Sequence, residues 1–357
     1  MSCCSRESES LPTRFKSIHN QMRTIASVAA GVVVLAVGMC RAQASPESGT
    51  VLSAAQSGQG LFQYQIFQLP PRSGPTFLLK GGDGNLWFSN INSHQIARFD
   101  NASQQLRTFP LRRTSQVLVM SNAPDGNVWY ADHKGNVGTI ASITPTGKIT
   151  EYEMPHGTGA AGLGPGPDGA LWITEGINDA IARFDLRSHT FTEFPLPHPN
   201  SGPCKVAAGP DGAVWFTELG GGRIGRITLS GEITEFEVPT KYAQPFMIVS
   251  APDGALWFTE YNAGKIGRIT TDGMITEFPT AGVWTAPMHI VVGVDKNLWF
   301  TEAGGNALGR ITLSGEVTEF SFGSVYTNPD GITVGSDNHV WFTQFQSNAL
   351  GKVIAPR

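Results

Sequence analysis

A tryptophan recurs along this 357-residue chain at intervals that hardly vary: Trp87, Trp129, Trp172, Trp215, Trp257, Trp299 and Trp341 stand 42 or 43 residues apart. Each sits in a version of one phrase, clearest in GPDGAVWFTE (Gly209 to Glu218) and APDGALWFTE (Ala251 to Glu260). A repeat of about 40–45 residues built from short strands is the spacing of propeller blades. The fifth copy shows the contents of one unit. Met247–Ser250, Ala255–Thr259, Lys265–Thr270 and Met274–Phe278 have strand composition. Pro252-Asp253-Gly254 and Thr271-Asp272-Gly273 mark turns between strands, where glycine supplies the positive φ. Four antiparallel strands with no helical periodicity make one blade. A blade cannot bury both faces of its sheet alone, so neighbours must stack on it, and the tryptophan is large enough to fill that seam. The sequence therefore predicts an all-β, seven-bladed propeller of four-stranded blades.

Ring closure requires the two ends of the chain to meet. The seventh repeat stops after its third strand (ALGKV, Ala349 to Val353), whereas FQYQIFQLP (Phe62 to Pro70) matches the fourth-strand phrase at Phe191–Pro197. The N-terminal strand is expected to complete the last blade, which removes exposed sheet edges. Residues 60–357 are then the propeller, and residues 45–59, rich in Ser, Gly and Gln, read as a flexible lead-in. Residues 1–44 read as a signal peptide: Ile25–Cys40 is apolar, follows Arg23 and precedes Ala42-Gln43-Ala44. Met22 is an alternative start, and Cys40 raises a lipoprotein alternative to a soluble product. The expectation is an exported protein, periplasmic or extracellular, monomeric and not inserted in a membrane after cleavage. Cys204 is the one cysteine beyond residue 44, so the mature chain has no intrachain disulfide to form. Five of the 25 basic and two of the 29 acidic residues lie in residues 1–44, leaving 20 against 27 and a net charge of −7. That balance argues against a nucleic-acid or anionic-membrane surface.

The phrases GPDGALW(F)TE, IGRIT, GEITEF and PLP together resemble the streptogramin B lyase (virginiamycin B lyase) family, across all seven repeats. The resemblance implies a magnesium-assisted elimination that opens the ester bond of a cyclic depsipeptide antibiotic. Such a reaction needs a base for an acidic proton beside a carbonyl and a cation for the enolate-like charge. Each blade enters its innermost strand eleven residues before the Trp, at Thr76, Leu118, Ala161, Cys204, Phe246, Met288 and Asp330. In the family the sixth and seventh positions are implied to be His, the seventh being the base. Metal-binding Glu residues are implied two positions before it and at the end of the seventh WFTE phrase.

This chain departs at each place: Met288 and Asp330 replace the histidines, and the amides Asn328 and Gln344 replace the carboxylates. A neutral amide weakens affinity for a hard cation, so no metal site and no cofactor is expected, with Mg2+ only if lyase activity persists. Asp330 is the candidate base. His289, next to the sixth position, is expected to point away by strand alternation. The other histidines (His94, His133, His156, His189, His198, His339) show no metal-ligand spacing. Arg98, Arg183, Arg226, Arg268 and Arg310 share one repeated slot and read as blade-to-blade pairing. The acids closing the WFTE phrases (Asp132, Glu175, Glu218, Glu260, Glu302) read as structural.

One group of residues breaks the repeat. Tyr242, Trp284 and Tyr326 stand four residues before the mouth position in three consecutive blades. With Phe246 and Met288 they would form an aromatic cup, with Thr76, Asn328, Asp330 and Gln344 as polar neighbours. The alternative is that the rings pack the loops. Three functions follow as expectations: binding of a small or peptide-like ligand, such as a cyclic peptide, at the mouth; a carbon–oxygen lyase or lactone hydrolase; or a scaffold for an envelope protein.

Overall fold

A computed structural model of the chain describes residues 51–56 and 61–355, except 135, 136, 158 and 324. The signal-peptide reading and most of the lead-in lie outside the described residues. Among the described residues no helix is long and apolar enough to cross a membrane.

Seven four-stranded antiparallel units follow one another, each centred on one of the recurrent tryptophans. Their innermost strands are Pro75–Lys80, Met120–Asn122, Gly162–Pro165, Pro203–Ala208, Pro245–Ser250, Pro287–Val292 and Pro329–Val334. These strands neighbour one another in order, and the seventh lies beside the first, so the ring closes. We number the blades 1 to 7 from Trp87. The first long strand, Leu61–Gln68, pairs antiparallel with Ala349–Ala355 and supplies the fourth strand of blade 7, as the sequence predicts.

The lead-in reading needs correction at one point. Val51–Gln56 (β1) is a strand, pairing with Leu61–Gln68 (β2) on one side and with the outermost strand of blade 6, Val317–Ser321, on the other. The outer edges of blades 6 and 7 would otherwise expose unpaired backbone groups. A short run with Val51 and Leu52, free of proline and glycine, satisfies both. Blades 6 and 7 thereby become one nine-stranded sheet.

The seam tryptophans behave as their size requires. Trp257 stacks on Phe278 of its own blade and packs against Leu298, Phe300 and Ile311 of the next. Trp172 and Trp215 repeat the arrangement two blades and one blade earlier. Each indole N–H donates to the Asp of the preceding hairpin turn, as in Trp215 to Asp211 at 3.0 Å. The recurrent arginines pair with that same Asp, Arg226 with Asp211 at 2.6 Å and Arg268 with Asp253 at 2.7 Å. These pairs lie within a blade, not between blades, because Arg226 is the cross-strand neighbour of Trp215 and so overhangs its own turn.

The acids closing the WFTE phrases are buried beneath the loops and serve the scaffold. Glu218 pairs with its cross-strand neighbour Arg223 at 2.8 Å. Glu260 faces Lys265 in the same slot, with Glu277 beside it. In blade 6 that slot holds Ala307, so Glu302 meets the carboxyl of Glu319 with no cation opposite.

Threonine in the same phrase joins the blades. Thr301 accepts from the His289 N–H (3.2 Å) and donates to the Asp330 carbonyl of blade 7 (2.6 Å). Thr259 donates likewise to the Met288 carbonyl and Thr343 to that of Thr76. In blades 1, 4, 5, 6 and 7 the inner strand is bulged just after its first proline, as between Pro287 and Ile290.

Candidate functional site

The bulge decides which side chains reach the axis. It adds a residue to the inner strand and breaks strict alternation. Consequently His289 faces the channel, contrary to the expectation from simple alternation. Its ring meets Phe77 of blade 1 edge-on at 5.0 Å and Phe246 of blade 5 at 5.9 Å. Lys205 of blade 4 reaches the same two rings, its Nζ lying 5.8 Å and 5.4 Å from their centroids. The contacts that Phe77 of blade 1 makes with Lys205 of blade 4 and His289 of blade 6 cross the hollow of the ring, since these blades are not neighbours. Asp330 of blade 7 joins them, its Oδ1 lying 3.3 Å from His289 Nδ1.

His289 Nδ1 also sits 3.1 Å from the Asp330 carbonyl oxygen. A carbonyl only accepts, so Nδ1 carries the proton and Nε2 presents a lone pair. Burial and the nearby Lys205 charge push the imidazole down to about 3, so it stays neutral at ordinary pH. Burial pushes the Asp330 carboxyl up to about 7, with Lys205 pulling the other way. Burial lowers the Lys205 ammonium from its usual value. A carboxylic acid that titrates near neutrality is able to exchange a proton under physiological conditions.

Three exposed or partly exposed rings precede the inner strands of blades 5, 6 and 7. Trp284 is 86% exposed and Tyr242 83%, with Tyr326 at 36%. Such exposures rule out loop packing for the first two. Tyr261, which follows the WFTE phrase of blade 5, lies between Phe246 (ring centroids 6.4 Å) and the Tyr326 and Asp330 side chains that act on its hydroxyl. Burial, then those two groups, raise the Tyr261 hydroxyl above its ordinary value.

The remaining candidates are less open than the sequence suggests. Met288 and Thr76 are buried, and the Thr76 hydroxyl is committed to Ser89 at 2.6 Å. Asn328 and Gln344 are adjacent, since Gln344 pairs across the strands with Pro329, but both are only 3% exposed. They lie under the loop rather than on the rim, because the Asn328 carbonyl accepts from the Phe345 N–H and folds the loop over them. Asn328 Oδ1 and Gln344 Nε2 have no partner. Two neutral amides and one carboxyl that titrates near 7 do not fit a magnesium ion, which wants anionic oxygens in an octahedral set. Among the described residues no group of three or more His, Cys, Asp or Glu side chains is placed to hold a metal.

Sequence reasoning missed Lys205, His289 and Tyr261. A lysine between Cys204 and Val206, in a strand otherwise apolar, was the available signal. The orientation of His289 depended on a bulge that the sequence does not spell.

The closed ring of four-stranded sheets defines a seven-bladed propeller, with Lys205, His289 and Asp330 gathered beside two phenylalanine rings at its axis. The Virginiamycin B lyase family model matches residues 47–251 and again 156–356. The chain belongs to that family. Among solved structures it is similar to a streptogramin B lyase, at 34% identity and a TM-score of 0.75 over 82% of this chain and 97% of that one. Virginiamycin B lyase from Staphylococcus aureus gives 34% and 0.77 over 83% and 100%. A catalytically inactive histidine-to-alanine variant of the same enzyme with quinupristin gives 33% and 0.76 over 83% and 100%. No curated protein matches.

Proposed function

We propose that this protein binds a peptide-like small molecule bearing aromatic or other apolar rings at the mouth formed by blades 5 to 7. The observation that carries the reading is the pair of almost fully exposed rings, Tyr242 and Trp284, beside Tyr326, in one repeat slot of consecutive blades. Large apolar rings held in water are costly unless a partner covers them, and a cluster of them marks a binding surface. A leader-like Ile25–Cys40 supports a location outside the cytoplasm, in the periplasm or beyond.

Trp284 is the tryptophan that faces solvent, the seven scaffold tryptophans being buried. Titration with quinupristin is therefore expected to change the emission of this one residue. Trp284→Ala is expected to abolish the change and weaken binding at least tenfold by calorimetry. An unaltered affinity in the variant would remove the mouth from consideration.

A second reading, ester-bond elimination with Asp330 as the base, draws support from the Asp330 carboxyl being pushed up to about 7 where the family resemblance puts the base. Elimination converts a cyclic depsipeptide into a linear isomer of the same mass, whereas lactone hydrolysis adds one water. Chromatography coupled to mass spectrometry separates the two. On this reading a linear isomer accumulates, faster as pH rises through 7, and Asp330→Asn stops it. No linear product from the unaltered protein sinks the reading.

A further inference from the structure

Below the mouth, Lys205 is an ammonium 6% exposed. It donates to the Ala161 carbonyl at 3.0 Å and has no ion pair among the described residues. A buried cation without a counter-charge is unfavourable. Asp330 is its electrostatic neighbour, but burial pushes that carboxyl up to about 7 and leaves much of the charge unanswered at neutral pH. An ammonium has three donors, so Lys205 keeps two beyond Ala161. Across from it, His289 is 5% exposed and its Nε2 has no partner. The Asp330 carbonyl fixes that nitrogen as an acceptor. The rings of Phe77 and Phe246 each lie beside both Lys205 and His289, which brings the ammonium and the imidazole to one place.

A group that satisfies both residues must bring negative charge to one and a donor hydrogen to the other, within a few ångströms. The carboxyl end of a peptide does so, with its carboxylate and the amide N–H on the same α-carbon. We propose that the channel site Lys205–His289 captures the terminal α-carboxylate of a peptide-like ligand. The carboxylate accepts from Lys205 Nζ, and the adjoining N–H donates to His289 Nε2. This deepens the mouth-binding reading and rests on it: the rings hold side chains of the ligand while the channel takes its carboxyl end. A carboxamide keeps the shape but loses the charge, so Lys205 discriminates against it.

The test uses two probes, N-acetylphenylalanine and its carboxamide, titrated calorimetrically into the whole protein at pH 7. The free acid is expected to bind at least tenfold more tightly than the amide. Lys205→Met, which keeps the apolar stem, is expected to erase that preference. Trp284→Ala should weaken both probes by the same factor. Equal binding of acid and amide, binding of neither, or a preference that survives Lys205→Met would each overturn the channel site. The acid–amide comparison on the unaltered protein decides the matter even if the variant fails to fold. If the preference holds and Trp284→Ala changes nothing, the channel site stands and the mouth reading falls.

Discussion

Glu302→Gln is expected to stabilise the propeller by a few kcal/mol at pH 9 and to change little at pH 5. Glu302 is buried, and its slot partner is Ala307 where blades 4 and 5 supply Arg223 and Lys265. Desolvation first, then the neighbouring Glu319, push its carboxyl up to about 9 from an ordinary 4.5. Glu260 and Glu218 move the same way, to about 8 and about 7, with cations beside them to limit the rise. The folded chain thus holds protons that the unfolded chain releases above pH 4.5. Stability from these groups is complete below that value and is lost as pH rises through about 7 to 9. Each unit of separation between the two states corresponds to about 1.4 kcal/mol. Glutamine keeps the donor to Glu319 without a proton to lose, so it removes the alkaline penalty. Urea unfolding of both proteins at the two pH values measures the difference. A variant no more stable than the parent at pH 9 would show that Glu302 is charged in the fold without cost.

Trp257→Ala is expected to cost about 3–5 kcal/mol, a range typical of a large aromatic side chain deleted from a packed interior. The indole is fully buried, lies against Phe278 with ring centroids 5.3 Å apart, and fills the seam toward Leu298 and Phe300. Alanine leaves a cavity there, and the Asp253–Arg268 pair cannot collapse into it without leaving the turn. That loss is a large share of the roughly 5–15 kcal/mol by which a domain is stable. Chemical denaturation gives the number directly, and a loss below about 1 kcal/mol would mean the seam is sealed by other contacts. Trp284→Ala offers the built-in comparison: the same deletion at an exposed ring should leave the unfolding midpoint where it was.

The architecture was legible because one physical requirement repeats seven times. A sheet that needs a neighbour writes the same tryptophan and turn into every unit, with the threonine in five of the seven, and the missing fourth strand of blade 7 was visible as a matching phrase at Phe62–Pro70. β1 was not legible: six residues outside the period carry no phrase, and their pairing follows from edges that exist only once the ring is built. The mouth was partly legible. Tyr242 and Trp284 stood out as aromatics in a slot that other repeats leave unremarked, whereas Tyr326 is half covered. The depth of Asn328 and Gln344 depended on a loop conformation, and the direction of His289 on a bulge, neither of which is written in residue type. Lys205 was overlooked because a lysine on a strand ordinarily faces water.

The joining of blades 6 and 7 by β1 has a mechanical result for ligand capture. Trp284 and His289 on one blade, and Tyr326 and Asp330 on the other, are welded through continuous backbone hydrogen bonding into a single jaw. Blade 5 meets that jaw by side-chain packing and the Thr259 bridge instead. Any yielding when a guest arrives should therefore fall along the line between Tyr242 and Trp284, with Tyr261 and Phe246 as the moving lip.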